Sequence, residues 1–359
     1  MIEPRLVIVG YYGYRNWGDE AALMVLVEGL RGVQGVHLVA LSGDPPFTSK
    51  LCGVEAVPRT DLRQVRRAIQ QSDALILGGG SLLQDATSLR SLLYYLLLIH
   101  WGLQAHGRVW LVGQGMGPFR RRISRLLVGR VLSRVPFISV RDEGSATLLQ
   151  QSGVRAPVRV DADLTWALQA CPAHFEVPSD CPCVGLAPRP WRNLPVQEMF
   201  VALCCRQLEA GWLPVLIPMQ ESQDRPLCEA IAHAVKAQQG TQPPVAPPPE
   251  HPAQLLALMG QLQAMVSMRL HGAIFAAAQG IPLLCLPYDP KVQALAQQIG
   301  ATLLPIDNPE SGALDQPWQQ LYAKLAAPTP EQIALLRQRA HALLDAVRQQ
   351  ASNLFVPAS

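Results

Sequence analysis

Three short segments in the second half of the chain carry residue types that could handle an anion and a proton together. Ser267-Met268-Arg269-Leu270-His271-Gly272-Ala273 lies between a candidate strand, Ala264–Ser267, and a candidate helix, Leu270–Gln279. Arg269 and His271 leave that strand end two residues apart, which sets a permanent cation beside a group able to hold or release a proton near neutral pH. A lone histidine is more often structural; the neighbouring arginine and the helix starting beneath it favour a chemical role. One βα unit later, Tyr288-Asp289-Pro290-Lys291 follows the candidate strand Pro282–Leu286, and the flexible, compactly charged Lys291 suits a phosphate. The alternative is a lysine at an ordinary helix start, which the helix dipole disfavours unless an anion is near. Arg189, in Pro188-Arg189-Pro190-Trp191, stands at the end of the candidate strand Val184–Ala187 and adds another cation.

The first half offers four glycine-rich or polar strand ends. Gly10-Tyr11-Tyr12-Gly13-Tyr14-Arg15-Asn16-Trp17-Gly18-Asp19-Glu20 joins a first strand to the helical run Ala21–Leu30, and free amides at such a helix start favour an anion or a hydroxyl-rich ligand. The spacing is not that of a dinucleotide loop. Tyr14, Asn16 and Asp19 are its candidate ligand-binding side chains; helix capping by Asn16 and Asp19 is the competing reading. Gly78-Gly79-Gly80-Ser81-Leu82-Leu83-Gln84-Asp85 comes next, where three glycines let backbone approach a ligand and Gly80, Ser81, Gln84 and Asp85 could line it. A tight strand-to-helix turn would look the same. Gly113-Gln114-Gly115-Met116-Gly117-Pro118 and Ser139-Val140-Arg141-Asp142 complete the set. Arg141 offers a fork of donors to a carboxylate or phosphate, or else pairs internally with Asp142 or Glu143.

These segments need elements to hold them. Apolar runs at Leu6–Val9, His37–Leu41, Ala74–Leu77, Val109–Val112, Phe137–Val140 and Val158–Val160 alternate with helical stretches, the pattern of a parallel sheet covered by helices. In such sheets ligands gather beyond the carboxyl ends of the strands. Periodicity lapses over 169–183, where Pro172, Pro178 and Pro182 mark a linker, and a second series begins with strands at Val184–Ala187, Leu213–Ile217, Ala264–Ser267 and Pro282–Leu286. Helices are expected near Pro195–Ala210, Asp224–Gln238, Leu270–Gln279 and Lys291–Ile299. The proline-rich stretch Thr241–Pro252 must be a stiff loop, with Val245 as a candidate buried extended residue. A long amphipathic helix over Glu331–Gln350 ends the chain. The expectation is an α/β protein with two Rossmann-like parallel-sheet domains in a GT-B-like arrangement and a long C-terminal helix: 1–168, a linker at 169–183, 184–328, and a helix and tail at 329–359. The GT-B outline is an analogy of fold alone.

The 359 residues exceed what one hydrophobic core usually organises. With 49% hydrophobic and 16% charged residues and a mean hydropathy of +0.14 the chain folds rather than staying disordered. A net charge of +3 is too mild and dispersed for a nucleic-acid binder. The local exception is Arg120, Arg121, Arg122, Arg125, Arg130 and Arg134, a basic segment that reads as helical. It is either a plain solvated face or a contact for anionic lipid head groups or diphosphates. The N-terminus has no apolar signal core, and the longest apolar run, Leu92–Ile99, is far short of the roughly 20 residues of a spanning helix and reads as a buried one. Eight cysteines without a secretory signal suggest reduced thiols in the cytosol, and neither Cys181-Pro-Cys183 nor Cys204-Cys205 has zinc or redox spacing, so no metal or cofactor is expected.

Taken together, the chain resembles the polysaccharide pyruvyl transferase family, in particular its bacterial CsaB type. The resemblance rests on six motifs in order: Gly-Tyr-x-Gly-x-x-Asn-x-Gly-Asp-Glu, Gly-Gly-Gly-Ser-Leu-Leu-Gln-Asp, Gly-Gln-Gly-x-Gly-Pro, Ser-Val-Arg-Asp, Met-Arg-Leu-His and Tyr-Asp-Pro-Lys-Val. It implies a GT-B-like fold, phosphoenolpyruvate as donor, and a hexose or N-acetylhexosamine acceptor of a cell-surface polysaccharide precursor, which a lipid diphosphate could carry. On matching positions it implies donor-binding or catalytic roles for Arg141, His271 and Lys291, with Arg269 and Arg189 in support. Asn16 and Asp19 fall on the acceptor side, Asp19 as candidate base. Gly272-Ala273 stands where many relatives would carry a small hydroxyl residue. A glycosyltransferase using a nucleotide-sugar donor is the rival enzyme, but no clear glutamate stands ready to hold a ribose. A catalytically inactive sugar-binding protein is the rival of another class.

Overall fold

The computed structural model describes residues 3–86, 88–173, 175–192, 194–306 and 316–355. The chain forms two compact units, Met1–Leu168 with Leu336–Ser359, and Gln169–Leu335.

The first unit runs β1 (Arg5–Tyr12), α1 (Trp17–Arg31), β2 (His37–Ser42), α2 (Pro45–Cys52), β3 (Glu55–Pro58), α3 (Leu62–Gln70), β4 (Ala74–Gly78), α4 (Leu89–Ala105), β5 (Val109–Gln114), α5 (Arg122–Leu132), β6 (Phe137–Val140), α6 (Glu143–Gln151) and β7 (Val158–Val160). Its strands form one parallel sheet in the order β3-β2-β1-β4-β5-β6-β7. Runs such as Leu6–Val9 and Ala74–Leu77 are buried throughout because helices cover both faces, which is why they read as unbroken apolar segments. Strand order reverses between β1 and β4, where Val9 pairs with Leu77, so the loops after these two strands open on the crevice that such sheets use for ligands.

The second unit runs β8 (Cys183–Ala187), α7 (Val196–Glu209), β9 (Leu213–Leu216), α8 (Glu221–Gln239), α9 (Pro252–Met259), β10 (Ala264–Ser267), α10 (Leu270–Ala278), β11 (Leu283–Cys285), α11 (Pro290–Ile299), β12 (Thr302–Leu303) and α12 (Trp318–Tyr322). Its parallel sheet has the order β12-β11-β10-β8-β9, and the reversal falls between β8 and β10, where Ala187 pairs with Ser267. Arg189 and His271 follow these two strands directly.

The last helix, α13 (Pro330–Ser352), packs from Leu336 onward into the first unit. Leu344 lies against Gly29 of α1, 3.0 Å from where a Cβ there would stand, and the Arg348 guanidinium donates to the Gly29 carbonyl at 2.7 Å. Helix α1 is therefore covered on a side that a surface helix would leave wet, and nearly every residue of Trp17–Leu30 is buried.

Several short elements depart from the sequence expectation or lie outside it, α12 among them. β3 and β12 are short edge strands, α2 follows β2, and α9 begins within the proline-rich stretch. In that stretch Val245 makes an isolated parallel bridge to Leu216. The apolar run of α4 reads as buried, yet Leu93 and Leu97 are exposed at 43% and 36%. The basic segment is helical only over Arg122–Leu132. Among the described residues of 169–182 there is no helix or strand; residue 174 of that segment lies outside the described residues, as do the last four of the tail. No helix among the described residues is long and apolar enough to cross a membrane.

Candidate active site

In the second unit three neighbouring strand ends carry the side chains singled out above. Arg189, after β8, donates to the Tyr288 hydroxyl, and its guanidinium lies 4.8 Å from the Tyr288 ring centre and 5.2 Å from that of Trp191. The two rings meet at 4.6 Å. Lys291 Nζ stands 6.0 Å from the Tyr288 ring centre and 3.9 Å from Asp289 Oδ2. Asp289 caps α11 by accepting from the Lys291 amide at 3.1 Å, so its carboxylate offsets a lysine at a helix start. Arg189 and Lys291 are thus two half-buried cations beside one tyrosine, Lys291 with the Asp289 carboxylate also within 3.9 Å.

Arg269 is different. It is 6% exposed and its fork closes on both oxygens of Asp224, with Nε to Oδ2 at 2.8 Å. Asp224 Oδ2 also accepts the amides of Met219 and Gln220, at 3.1 and 2.9 Å. Burial pushes the Asp224 carboxyl above its usual range and Arg269 opposes it. The pair fastens the strand end of β10 to the start of α8, so Arg269 holds the position from which His271 emerges. His271 lies in the first turn of α10, half-buried. A Cβ on the next residue, Gly272, would fall 2.8 Å from Ser267 Oγ and 3.3 Å from the Ala187 Cβ. The helix is pressed against both strands at the reversal point; no hydroxyl-bearing side chain fits at 272, and Ala273 is fully buried.

In the first unit a chain of contacts draws most of the predicted residues together. The glycine triplet runs along one ridge of α1: a Cβ on Gly78 would meet Leu26 at 2.6 Å, on Gly79 Ala22 at 2.7 Å, and on Gly80 Asp19 Oδ1 at 2.7 Å. The glycines therefore permit close packing against α1, and that packing sets the Asp19 carboxylate beside Gly80. Asn16 donates to Asp19 Oδ2 at 2.6 Å rather than capping α1 with its side chain. Ser81 Oγ accepts from Arg141 Nη2 at 3.1 Å. Arg141, 6% exposed, also holds Asp163 at 3.1 Å and Asp142 at 3.5 Å, so its fork is engaged within its own unit.

The structure holds one predicted residue, Asp85, apart from this group. Asp85 turns inward: its oxygens accept from the Arg120 and Arg121 amides at 2.6 and 3.0 Å and from Ser124 Oγ at 2.7 Å. Although burial opposes it, these donors hold the carboxyl below its usual range, and Asp85 serves the first turn of α5 rather than a ligand. Gln84 is half-buried in the same segment. Tyr14 stacks on Tyr11 at 4.3 Å with ring planes 12° apart.

A sequence model of the polysaccharide pyruvyl transferase family matches residues 16–290. The chain belongs to this family. The match takes in the four inner motifs whole, the opening motif from Asn16 onward and the last as far as Pro290, just short of Lys291. No curated protein matches in sequence. Solved structures give the fold of this pyruvyl transferase family member at low identity. The MnaA–UDP complex from S. aureus is 11% identical with a TM-score of 0.65, covering 99% of each chain. A UDP-N-acetylglucosamine 2-epimerase from Methanocaldococcus jannaschii is 12% identical with a TM-score of 0.62, covering 96% of this chain and 99% of its own. A glycosyltransferase from Rickettsia africae is 9% identical with a TM-score of 0.59, covering 100% of both. The fold is GT-B-like, as the sequence pattern implies.

Several residues that shape this candidate site are not singled out by sequence. Glu20 is fully buried, and its Oε1 accepts the amides of Gly13, Tyr14 and Arg15 at 2.9 to 3.1 Å, gathering the opening loop around one carboxyl. Its Oε2 is buried with no hydrogen-bond partner among the described residues, and burial, with Asp19 adjacent, pushes its pKa up to about 8. Arg59, following β3, donates to the Gly10 carbonyl at 2.9 Å and the Tyr95 hydroxyl at 3.0 Å, with Tyr11, Tyr14 and Tyr94 also around its guanidinium. An arginine just past a strand is the available signal, but β3 has no apolar run to announce it. Gln114 ties Leu77 and Gly79 carbonyls from inside the core. Among the described residues no three His, Cys, Asp or Glu side chains form a metal-binding group.

Proposed function

We propose that this enzyme moves the enolpyruvyl group of phosphoenolpyruvate onto a sugar of a cell-surface polysaccharide precursor and closes it into a cyclic pyruvate ketal. Membership of the pyruvyl transferase family carries the reading, and Arg189 and Lys291 flanking Tyr288 suit a small, highly charged donor. In this mechanism His271, as imidazolium, protonates the methylene carbon of the enol phosphate while positive charge develops at the neighbouring carbon. One sugar hydroxyl adds to that carbon and phosphate departs, its charge held by Lys291 and Arg189. A second hydroxyl of the same sugar then closes the ring. Of the two hydroxyl protons, one restores His271 and the other leaves with phosphate, so the reaction balances without redox chemistry. Arg269 and Arg141 act as positioning cations, each already engaged by an aspartate. Tyr14, Asn16, Asp19, Gly80 and Ser81 form the acceptor side, with Asp19 as base.

The same reading puts the enzyme in the cytoplasm, with an acceptor carried on a lipid diphosphate and a wall polymer of the kind that anchors surface layers as the end use. Incubation with phosphoenolpyruvate and a panel of sugar acceptors, read by mass for an added ketal-linked pyruvate and by phosphate release, tests it. A nucleotide-sugar glycosyltransferase is the alternative, since the S. aureus neighbour was solved with UDP. Stabilisation against heat by nucleotide sugars and not by phosphoenolpyruvate would decide for that alternative.

A further inference from the structure

We propose that the outer face formed by α4 and α5 docks on the anionic surface of a lipid bilayer. Helix α5 buries Ser124, Val128, Gly129 and Leu132 against its own unit, yet its outer side is not the polar side of an ordinary surface helix. Ile123 and Leu126 stand out at 51% and 63% exposure, Leu126 being the most exposed large apolar side chain among the described residues. Helix α4 packs beside α5 and adds Leu93 and Leu97, one turn apart, at 43% and 36%. Among the described residues, four of the seven exposed large apolar side chains therefore lie on two adjacent helices. Scattered apolar residues on a surface need no explanation, but apolar side chains gathered on one face do.

Charge identifies the occupant. Between Asp85 and Asp142 the sequence has no carboxylate at all, while Arg120, Arg121, Arg122, Arg125, Arg130 and Arg134 are all exposed. Among the described residues the only ion-pair contact these six make is Arg121 with Asp85, at 4.0 Å. On α5, Arg122 and Arg125 flank Ile123 and Leu126, and Arg130 follows one turn on. That is the composition of an interfacial helix, whose apolar tips enter the headgroup layer while guanidinium forks take lipid phosphates. A nucleic acid would meet the same arginines but would leave the leucines against water, and an acidic protein surface would do likewise. This inference does not depend on the donor or acceptor proposed above.

Flotation of the full-length protein with vesicles tests it directly. Wild type should float with equimolar phosphatidylcholine and phosphatidylglycerol and stay behind with phosphatidylcholine alone. The triple variant Arg122→Gln, Arg130→Gln, Arg134→Gln should bind roughly 100-fold more weakly, following about 1 kcal/mol for each arginine near an anionic surface. Ile123→Ser with Leu126→Ser should lose roughly tenfold per side chain, the scale of withdrawing a leucine from an apolar layer, and Ile123→Trp should bind more tightly than wild type. All variants should keep wild-type unfolding temperatures, since the changes lie on exposed positions. Failure of wild type to float with the anionic vesicles would overturn the proposal. So would unaltered binding by the Ile123, Leu126 pair variant, or sedimentation showing that this pair variant breaks up an oligomer.

Discussion

Gly80 and Asp19 approach so closely that a methyl group on Gly80 would stand 2.7 Å from Asp19 Oδ1. The candidate base and the glycine loop are therefore one structural unit: moving the loop moves the carboxylate. Gly80 also has φ +74°, so alanine there carries backbone strain as well as a clash.

Gly107 separates the two effects, because it has φ +73° and no atom lies within 4 Å of where its Cβ would stand. Gly107→Ala should cost about 1 to 2 kcal/mol from the left-handed backbone alone, with turnover unchanged. Gly80→Ala should cost more and should also raise the acceptor KM, since it displaces Asp19. Urea unfolding and steady-state kinetics on both variants provide the comparison; equal losses with intact kinetics for Gly80→Ala would sever Asp19 from the loop.

Glu20 predicts a pH dependence of stability. Its folded-state pKa of about 8 lies above the ordinary carboxyl value, so over the intervening range the native chain holds a proton that the unfolded chain has released. The stabilisation is complete below the unfolded-state pKa and is lost as pH rises towards and through 8. Between about pH 6 and about pH 8 the loss should be on the order of 2 kcal/mol, from 1.36 kcal/mol per unit for one proton. Glu20→Gln keeps an oxygen for the amides of Gly13, Tyr14 and Arg15 but cannot titrate, so its stability should vary less over that interval. Parallel pH profiles for variant and wild type would show that Glu20 is not the titrating group.

Much of this architecture is legible in sequence because buried parallel strands are short unbroken apolar runs ending in glycine or a polar turn. Leu6–Val9, Ala74–Leu77 and Ala264–Ser267 declare themselves in that way. Glu55–Pro58 does not: an edge strand has one neighbour, needs little apolar surface, and tolerates a terminal proline. Helix α9 hides behind the prolines that precede it, although Pro252 at its first position is compatible with a helix start. The arginines of the site can be read from their strand ends, but their partners cannot. Asp163 lies 22 residues from Arg141 and Asp224 lies 45 from Arg269, distances that only the folded sheet closes. For the same reason the sequence shows cations and leaves unseen which of them are already neutralised.

His271 and Lys291 should separate kinetically. If His271 is the proton donor proposed above, His271→Ala should lower kcat by roughly 100- to 10,000-fold while phosphoenolpyruvate still protects the protein from heat. Lys291→Ala removes a charged contact and should raise the donor KM roughly tenfold to a hundredfold with a smaller change in kcat. Phosphate release under saturating acceptor gives both numbers. Near-normal turnover by His271→Ala would rule out its acid role.

The Arg269–Asp224 pair offers the sharpest test of what a buried cation does here. If Arg269 exists to hold Asp224, removing it strands a fully buried carboxylate with only the Met219 and Gln220 amides, and Arg269→Met should cost about 3 to 5 kcal/mol. Asp224→Asn should be similarly harmful, because the guanidinium is left unpaired. The double variant should then lose far less than the two single losses combined, since neither charge remains. Unfolding in urea completes the cycle, and donor binding to the double variant adds the functional half. A double variant that is stable yet fails to bind phosphoenolpyruvate would assign Arg269 a direct hold on the donor; one that binds it normally would leave the arginine as the brace that aims His271.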